Sequence, residues 1–375
     1  MTIAINANQH PHSVSNDFYL QFLIDGAAAH PEHQFVLIGS DSIGELEHIS
    51  NNIVSVISAP LLNNSWMWEL WLNYTLPGII KKHNASILIN TDVACSKRSS
   101  IPQWVFVNDL SFLHFPLHFS RRQRIFLNNQ LSSFLKIADG IVTPSDFIAK
   151  EIKQLYSIKE DKIKLFSIIT ADAYQPIYWG EKETVKNTYV DRKEYFLFSG
   201  EINPRYDLVN LLKAYSFFKT RQQSNMQLVI TAKSLSSNNS FNKLFNTYKY
   251  RRDVRLLIGL PETELAKITA AAYAFIYPAH SAGSALFPLQ AMQCEVPIIT
   301  SQLGALKEKL GDAVLYADPS NFEDIAEKMM LLFKDETKRS ELIESGKLSI
   351  NKSKEGKLNT KWWKSVLAQS KKGRK

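Results

Sequence analysis

Cysteine is nearly missing from this chain: Cys95 and Cys294 are the only two among 375 residues. So widely separated, they form neither a CxxC nor a metal-ligand pattern. A disulfide scaffold is therefore excluded and a reducing compartment is the default. Long apolar runs are missing too. The stretch Ala270–Ala279 is broken by polar residues and proline and falls short of the roughly 18 residues a membrane-spanning helix needs. No basic n-region precedes the strand-like Thr2–Ala7, so no signal peptide is expected. The expected location is cytoplasmic, with a peripheral contact to the inner membrane face as a further option. The sequons at Asn63, Asn73 and Asn84 then carry no glycan. Neither a repeat nor a low-complexity segment is present.

Two phosphate-binding signatures are also absent. The segment after the first strand candidate reads His10-Pro11-His12-Ser13-Val14-Ser15-Asn16, without a glycine, and no Walker A sequence occurs anywhere. Dinucleotide binding of the G-x-G-x-x-G type and P-loop chemistry are unsupported. His10 and His12 read as loop residues, because no carboxylate or cysteine sits at ligand spacing from them. With 45% apolar and 21% charged residues, the chain is of globular composition.

The charge balance is basic, 44 Lys and Arg against 36 Asp and Glu, a net +8. Such an excess attracts phosphates, acidic glycans or an anionic membrane face. Part of it lies in the tail Lys371-Lys372-Gly373-Arg374-Lys375, read as a solvated end. Arg121-Arg122-Gln123-Arg124 reads as a solvated helix face, or else as a site for an anionic acceptor. The basic–aromatic stripe expected of a nucleic-acid binder is not present.

Short apolar, β-rich runs alternate with stretches of helical spacing. Strands are expected at Ile3–Asn6, Gln34–Ile38, Ile53–Ser58, Ser86–Ile89, Trp104–Val107 and Gly140–Thr143, with helices at Val14–Ala29, Met67–Lys82, Arg121–Ala138 and Phe147–Tyr156. The polar stretch Gln175–Lys193 lacks an apolar period and reads as a linker. The alternation then restarts with strands at Tyr195–Ser199, Gln227–Thr231, Val254–Ile258, Ala274–Tyr277 and Pro297–Thr300. Near-continuous apolar strands separated by helices imply parallel sheets covered on both faces. The expected fold class is α/β, as two tandem doubly wound Rossmann-like domains with ligands outside the carboxyl ends of the strands, in a cleft between the domains.

The most informative stretch is Ala274–Ser301. A buried strand ends at Pro278 and a small-residue loop, Ala279–Ser284, leads into a helix. Free backbone N–H groups in such a loop suit a phosphate; equally, small residues suit a tight strand–helix turn. The register Pro278…Gly283…Leu286…Leu289-Gln290-Ala291-Met292…Val296-Pro297-Ile298-Ile299…Ser301 resembles the sugar-nucleotide segment of retaining family 4 (group 1) glycosyltransferases of GT-B fold. Phe198-Ser199-Gly200-Glu201-Ile202-Asn203-Pro204-Arg205, Asn108-Asp109-Leu110-Ser111-Phe112 and Ala138-Asp139-Gly140-Ile141-Val142-Thr143-Pro144-Ser145 continue the resemblance in the right order.

The resemblance implies residues 1–175 as an acceptor-side domain, 176–193 as linker and 194–353 as a donor-nucleotide domain. Residues 354–375, with Trp362-Trp363, form a helix returning to the first domain plus the basic tail. It further implies transfer of a sugar, with retention, from a nucleotide-sugar to a glycan or lipid-linked acceptor in cell-surface polysaccharide assembly. No cofactor and no obligatory metal are expected. The donor site is expected at Arg205, Lys233, Gly283, Ser284, Ala285 and Gln290, with Asn108 and Asp109 as catalytic candidates.

The polar signature positions depart from the family pattern. Its two donor-helix glutamates fall on Ala282 and Gln290, its diphosphate-binding arginine and lysine on Glu201 and Tyr206, and its acceptor-side histidine on Asn108. A glutamate facing a diphosphate is repulsive, and losing both cations removes stabilisation from the leaving group. The alternative expectation is therefore a catalytically silent homologue that partners an active glycosyltransferase. Trp66, Trp68 and Trp71 are expected to pack the core side of the helix they begin, with a sugar platform or a membrane-interface patch as the alternatives.

Overall fold

A computed structural model describes residues 1–8, 17–40, 50–59, 65–166, 170–234, 240–353 and 357–369. His10, His12, Asn63 and the tail from Lys371 lie outside these. The chain divides into two compact units, Met1–Ser167 with Gly356–Lys375, and Ile168–Glu355.

The first unit is built on seven parallel strands. They are β1 (Thr2–Asn6), β2 (Gln34–Gly39), β3 (Ile53–Ile57), β4 (Ala85–Asn90), β5 (Gln103–Phe106), β6 (Gly140–Thr143) and β7 (Ile163–Leu165), in the spatial order β3-β2-β1-β4-β5-β6-β7. β1, β4, β5 and β6 are buried almost throughout, which is why they read as continuous apolar runs. One face of the sheet packs against the helices around Trp68, Trp71, Leu76, Phe126, Leu131 and Ile148. An aromatic cluster belongs to the same unit. Trp362, on the helix Lys357–Gln369, meets Trp104 and Phe106 edge-on at centroid distances of 6.2 and 5.8 Å. Trp363 meets Phe35 at 6.1 Å and lies so close to Gly26 that a β-carbon there would come within 2.5 Å of its indole.

The second unit carries six parallel strands: β8 (Tyr195–Ser199), β9 (Gln227–Ala232), β10 (Val254–Ile258), β11 (Ala274–Tyr277), β12 (Ile298–Thr300) and β13 (Leu315–Tyr316), in the order β10-β9-β8-β11-β12-β13. In each sheet the order reverses beside the first strand, between β1 and β4 and between β8 and β11. These are the topological switch points at which doubly wound sheets bind ligands.

Three local expectations are corrected. The helix expected over Met67–Lys82 is interrupted by a π-helical turn, Trp71–Thr75, in which the Leu76 N–H reaches back five residues to the Trp71 carbonyl. Pro77 follows and has no N–H to continue an α-helical ladder, so the wider turn takes up the mismatch. Of the three tryptophans, Trp68 and Trp71 are buried but Trp66 is exposed. Finally, the presumed linker 176–193 contains the helix Trp179–Tyr189, whose Val185 is buried in the core of the second unit. So few apolar positions in a charged helix produce no legible period.

Candidate functional site

Two loops leave the carboxyl ends of the strands flanking the second switch point, and they are joined. Tyr206, after β8, forms an antiparallel bridge with Ala279, after β11. The His280 N–H donates to the Arg205 carbonyl at 2.9 Å and the Asp207 N–H to the Pro278 carbonyl at 3.0 Å. Side chains reinforce the joint. Asp207 caps the helix Leu208–Gln222 by accepting from the Asn210 N–H, and its other oxygen accepts from Asn210 Nδ2 and lies 3.1 Å from His280 Nε2. Burial opposes the Asp207 charge, but the hydrogen bonds from His280 and Asn210 outweigh it and hold the carboxyl below its ordinary range. The stabilisation from a depressed carboxyl is complete above its unfolded value near pH 4 and is lost as pH falls through the folded value. Asp207→Ala should therefore cost the second unit about 1–2 kcal/mol at neutral pH, the usual scale of a lost helix cap. In urea titrations the gap from the parent should close as the pH falls below about 4.

Tyr206, which the resemblance sets at a lysine position, stands in an aromatic cluster. Tyr206 is buried, with its ring 5.1 Å from Tyr277 and 5.9 Å from Phe198. This residue supports the loop from below. Glu201 is exposed, and its carboxylate accepts from Asn203 Nδ2 at 2.8 Å. The same Asn203 side chain accepts from the Arg205 N–H at 3.0 Å and so fixes the turn that presents Arg205. Arg205 is half-buried, with its guanidinium carbon 6.0 Å from the Tyr206 ring centre.

Past Ala279, the loop runs through Ser281, Ala282, buried Gly283 and half-buried Ser284 to the helix Leu286–Gln293. The N-cap of that helix is Ala285, which offers no side-chain acceptor to the first-turn N–H groups. A helix start without a side-chain cap presents positive partial charge to an anion. Just over a turn along, Gln290 is 7% exposed, and its amide makes no hydrogen bond to another described residue. Lys233 is exposed where the chain leaves β9, the strand next to β8. Beside it Gly259 takes φ +70°, a conformation that favours glycine.

At the first switch point the strand ends are joined by buried amides. Asn6 Nδ2 donates to Asn90 Oδ1 at 3.1 Å, the Asn8 N–H to Asn6 Oδ1 at 3.1 Å and Asn8 Nδ2 to the Ser58 carbonyl at 2.9 Å. Nothing in the sequence singled out these asparagines, since they lie far apart along the chain and only the sheet order unites them. Asn108 and Asp109 are half-buried beyond the end of β5, where Asp109 Oδ1 accepts from the Ser111 N–H at 2.6 Å. A depression of about 470 Å³ on the second unit lies elsewhere, at the amino-terminal strand ends by Glu194, Tyr273 and Phe333. The candidate site is placed at the carboxyl ends because the joined loops, the helix start that no side chain caps and the Gln290 side chain all belong to that end of the sheet. Among the described residues no group of three His, Cys, Asp or Glu side chains is gathered as a metal site would require.

Comparison with known proteins matches this division. Residues 20–167 fit the family model described as Glycosyltransferase Family 4, and residues 181–349 the one described as Glycosyl transferases group 1. O-antigen chain mannosyltransferase B of Escherichia coli is 27% identical over 233 residues, which cover 62% of this chain and 61% of that protein. O-antigen chain mannosyltransferase RfbU of Salmonella typhimurium is 23% identical, with 72% and 71% covered. The match thus spans less than two-thirds of the first of these relatives. Among solved structures, sucrose-phosphate synthase of Thermosynechococcus elongatus superposes with a TM-score of 0.79 at 12% identity, covering 98% of this chain and 99% of that one. Anabaena HepE, in complex with UDP-glucose, superposes at 0.75 and 12% identity, covering 98% of this chain and 100% of that one. These likenesses establish the α/β fold of GT-B type, and with both family models matched in order, the chain belongs to the family 4, group 1 glycosyltransferases.

Proposed function

We propose that this chain transfers a hexose from a nucleoside-diphosphate sugar to a glycan or lipid-linked acceptor during assembly of a surface polysaccharide, at the cytoplasmic side where such donors occur. The names of its relatives favour mannose as the sugar. The observation that carries this reading is the joined pair of loops at the β8–β11 switch point, with the uncapped start of the helix Leu286–Gln293 among them. The amides from Gly283 to Leu286 receive the diphosphate and Arg205 supplies a cation from the opposite loop. Lys233 adds a second cation at the neighbouring strand end, and the Gln290 amide takes a ribose hydroxyl. Negative charge grows on the diphosphate as the glycosidic bond breaks, so donors already aimed there favour the transition state over the ground state. Asn108 and Asp109, on the first unit, are assigned to the acceptor side. The reaction proceeds with retention, and the donor is a co-substrate that needs no resident metal.

A second reading is supported by Ala282, Glu201 and Tyr206, which stand where the family has a glutamate, an arginine and a lysine. In it the chain keeps the fold and serves as the silent partner of an active enzyme. Calorimetric titration with GDP, UDP and their hexose conjugates separates the two. We expect micromolar binding of one nucleotide, weakened tenfold or more by Arg205→Ala, as the loss of a charge-assisted hydrogen bond predicts. No binding at concentrations that detect millimolar affinity leaves the silent reading.

A further inference from the structure

The depression on the second unit plays no part in the transfer site. It opens at the amino-terminal ends of three neighbouring strands: Glu194 precedes β8, Met226 precedes β9 and Tyr273 precedes β11. Gln222 and Asn225, from the end of the helix Leu208–Gln222 and the turn after it, join them, as does Phe333 from the helix Phe322–Lys334. β9 is six residues long, so about 20 Å of sheet lies between this depression and the donor loops at the other end. A volume of about 470 Å³ falls within the range of small-molecule sites, roughly 300–1,000 Å³.

The walls are fixed by groups other than those left open to a ligand. Lys219, 9% exposed, anchors the turn after its helix: its ammonium donates to the Ser224 carbonyl at 2.5 Å and pairs with Asp253 at 3.1 Å. The Tyr215 hydroxyl donates to the Met226 carbonyl at 2.8 Å, and the Met226 N–H to Ser224 Oγ at 3.1 Å. The aromatic wall is held as well. Phe218 meets the Phe333 ring edge-on at 5.3 Å, and the Tyr273 hydroxyl donates to the Leu332 carbonyl at 2.8 Å. Arg339 lies over the Tyr273 ring at 4.7 Å, whereas Phe333 stays 37% exposed. Walls fixed before binding keep the ordering cost of a ligand low.

The open groups define what fits. The side-chain amides of Gln222 and Asn225 bond to no described residue, and Glu194 gives Oε1 to Lys186 but Oε2 to no described residue. Among the described residues no Lys or Arg lines the depression, so a phosphate or carboxylate would find no cation there. An apolar ligand would cover the amides and leave them unpaired, which is costly. The matching ligand is neutral, dense in hydroxyls and apolar on one face. A hexopyranose has this form. The C–H groups on one side of its ring suit the negative face of an aromatic side chain. Its neighbouring hydroxyls can exchange hydrogen bonds with amides and a carboxylate oxygen.

We propose that this depression is a second saccharide site, which holds a neutral hexose oligomer with Phe333 under one ring and Gln222, Asn225 and Glu194 on its hydroxyls. The choice of hexose rests on the function proposed above. A glycan tethered there stays near the enzyme between transfers, at a raised effective concentration.

The test is ligand-observed NMR titration of the full chain with α-linked mannotriose and with maltotriose, alongside GDP and UDP on the same preparation. Saturable millimolar binding of a trisaccharide is expected, with no competition from inorganic phosphate. Asn225→Arg, which fills the depression, should abolish it while leaving nucleotide affinity and the thermal unfolding profile unchanged. Phe333→Ala should weaken it tenfold or more. Absence of trisaccharide binding overturns the proposal, as does binding that either variant leaves unchanged or that phosphate displaces. Nucleotide binding without trisaccharide binding refutes this inference alone. Trisaccharide binding removed by Asn225→Arg, in a chain that takes no nucleotide, upholds the saccharide site while the donor reading fails.

Discussion

Ser284→Asp is expected to weaken nucleoside-diphosphate binding more than a hundredfold while leaving the fold as stable as before. Ser284 is half-buried immediately before the Ala285 cap, and its hydroxyl bonds to no described residue. A carboxylate there stands at the positive end of the helix Leu286–Gln293, a position that stabilises a helix by about 0.3–1 kcal/mol. The same carboxylate meets the diphosphate as a like charge. At about 5 Å and an effective dielectric constant near 20, each pair of unit charges costs about 3 kcal/mol. Calorimetry and a thermal scan on one preparation read both effects. Unaltered affinity in Ser284→Asp would mean that the diphosphate does not sit on this helix.

The second large effect is on stability. Trp362→Ala should destabilise the first unit by about 3–5 kcal/mol, the range for removing a large aromatic from a packed core. Trp362 is 1% exposed, and its indole touches side chains of two central strands through Trp104 and Phe106. Its ring plane is tilted against Phe22 at 5.6 Å as well, so the cavity would be walled by rigid rings that collapse poorly. Because the chain has two units, urea unfolding should be followed with probes for each. The loss should fall on the first unit alone; an unshifted first transition would sink the assignment of this helix to that core.

The fold was legible because its signals are local. Runs such as Phe196–Phe198 and Phe275–Tyr277 are apolar at every position, as strands covered on both faces must be. Ser120 with Gln123 forms the capping box that starts the helix Arg121–Ile137. Weak strands escaped notice. β7 and β13 are short edge strands with half-buried side chains; β7 is broken by Lys164, and the run Ala313–Ala317 around β13 was not read as a strand. The candidate site was legible in the sequence only as a stretch of residues. Gly283, Ser284, Ala285 and Gln290 belong to one continuous stretch and came as a group. The joint that shapes the site depends on Asp207 and His280, 73 positions apart, and on backbone groups that have no residue signature at all. Tyr206 was read through the missing lysine. In the structure it supports Tyr277 and Phe198, a packing role that a site motif cannot reveal.

The helix Lys357–Gln369 belongs to the unit whose strands were made first, yet it follows the whole of the other unit in the chain. During vectorial synthesis the first sheet therefore emerges with Phe22, Phe35, Trp104 and Phe106 lacking their cover. At about 5–20 residues per second, that face waits on the order of ten to forty seconds for the two tryptophans that close it. The amino-terminal unit is thus born first and finished last.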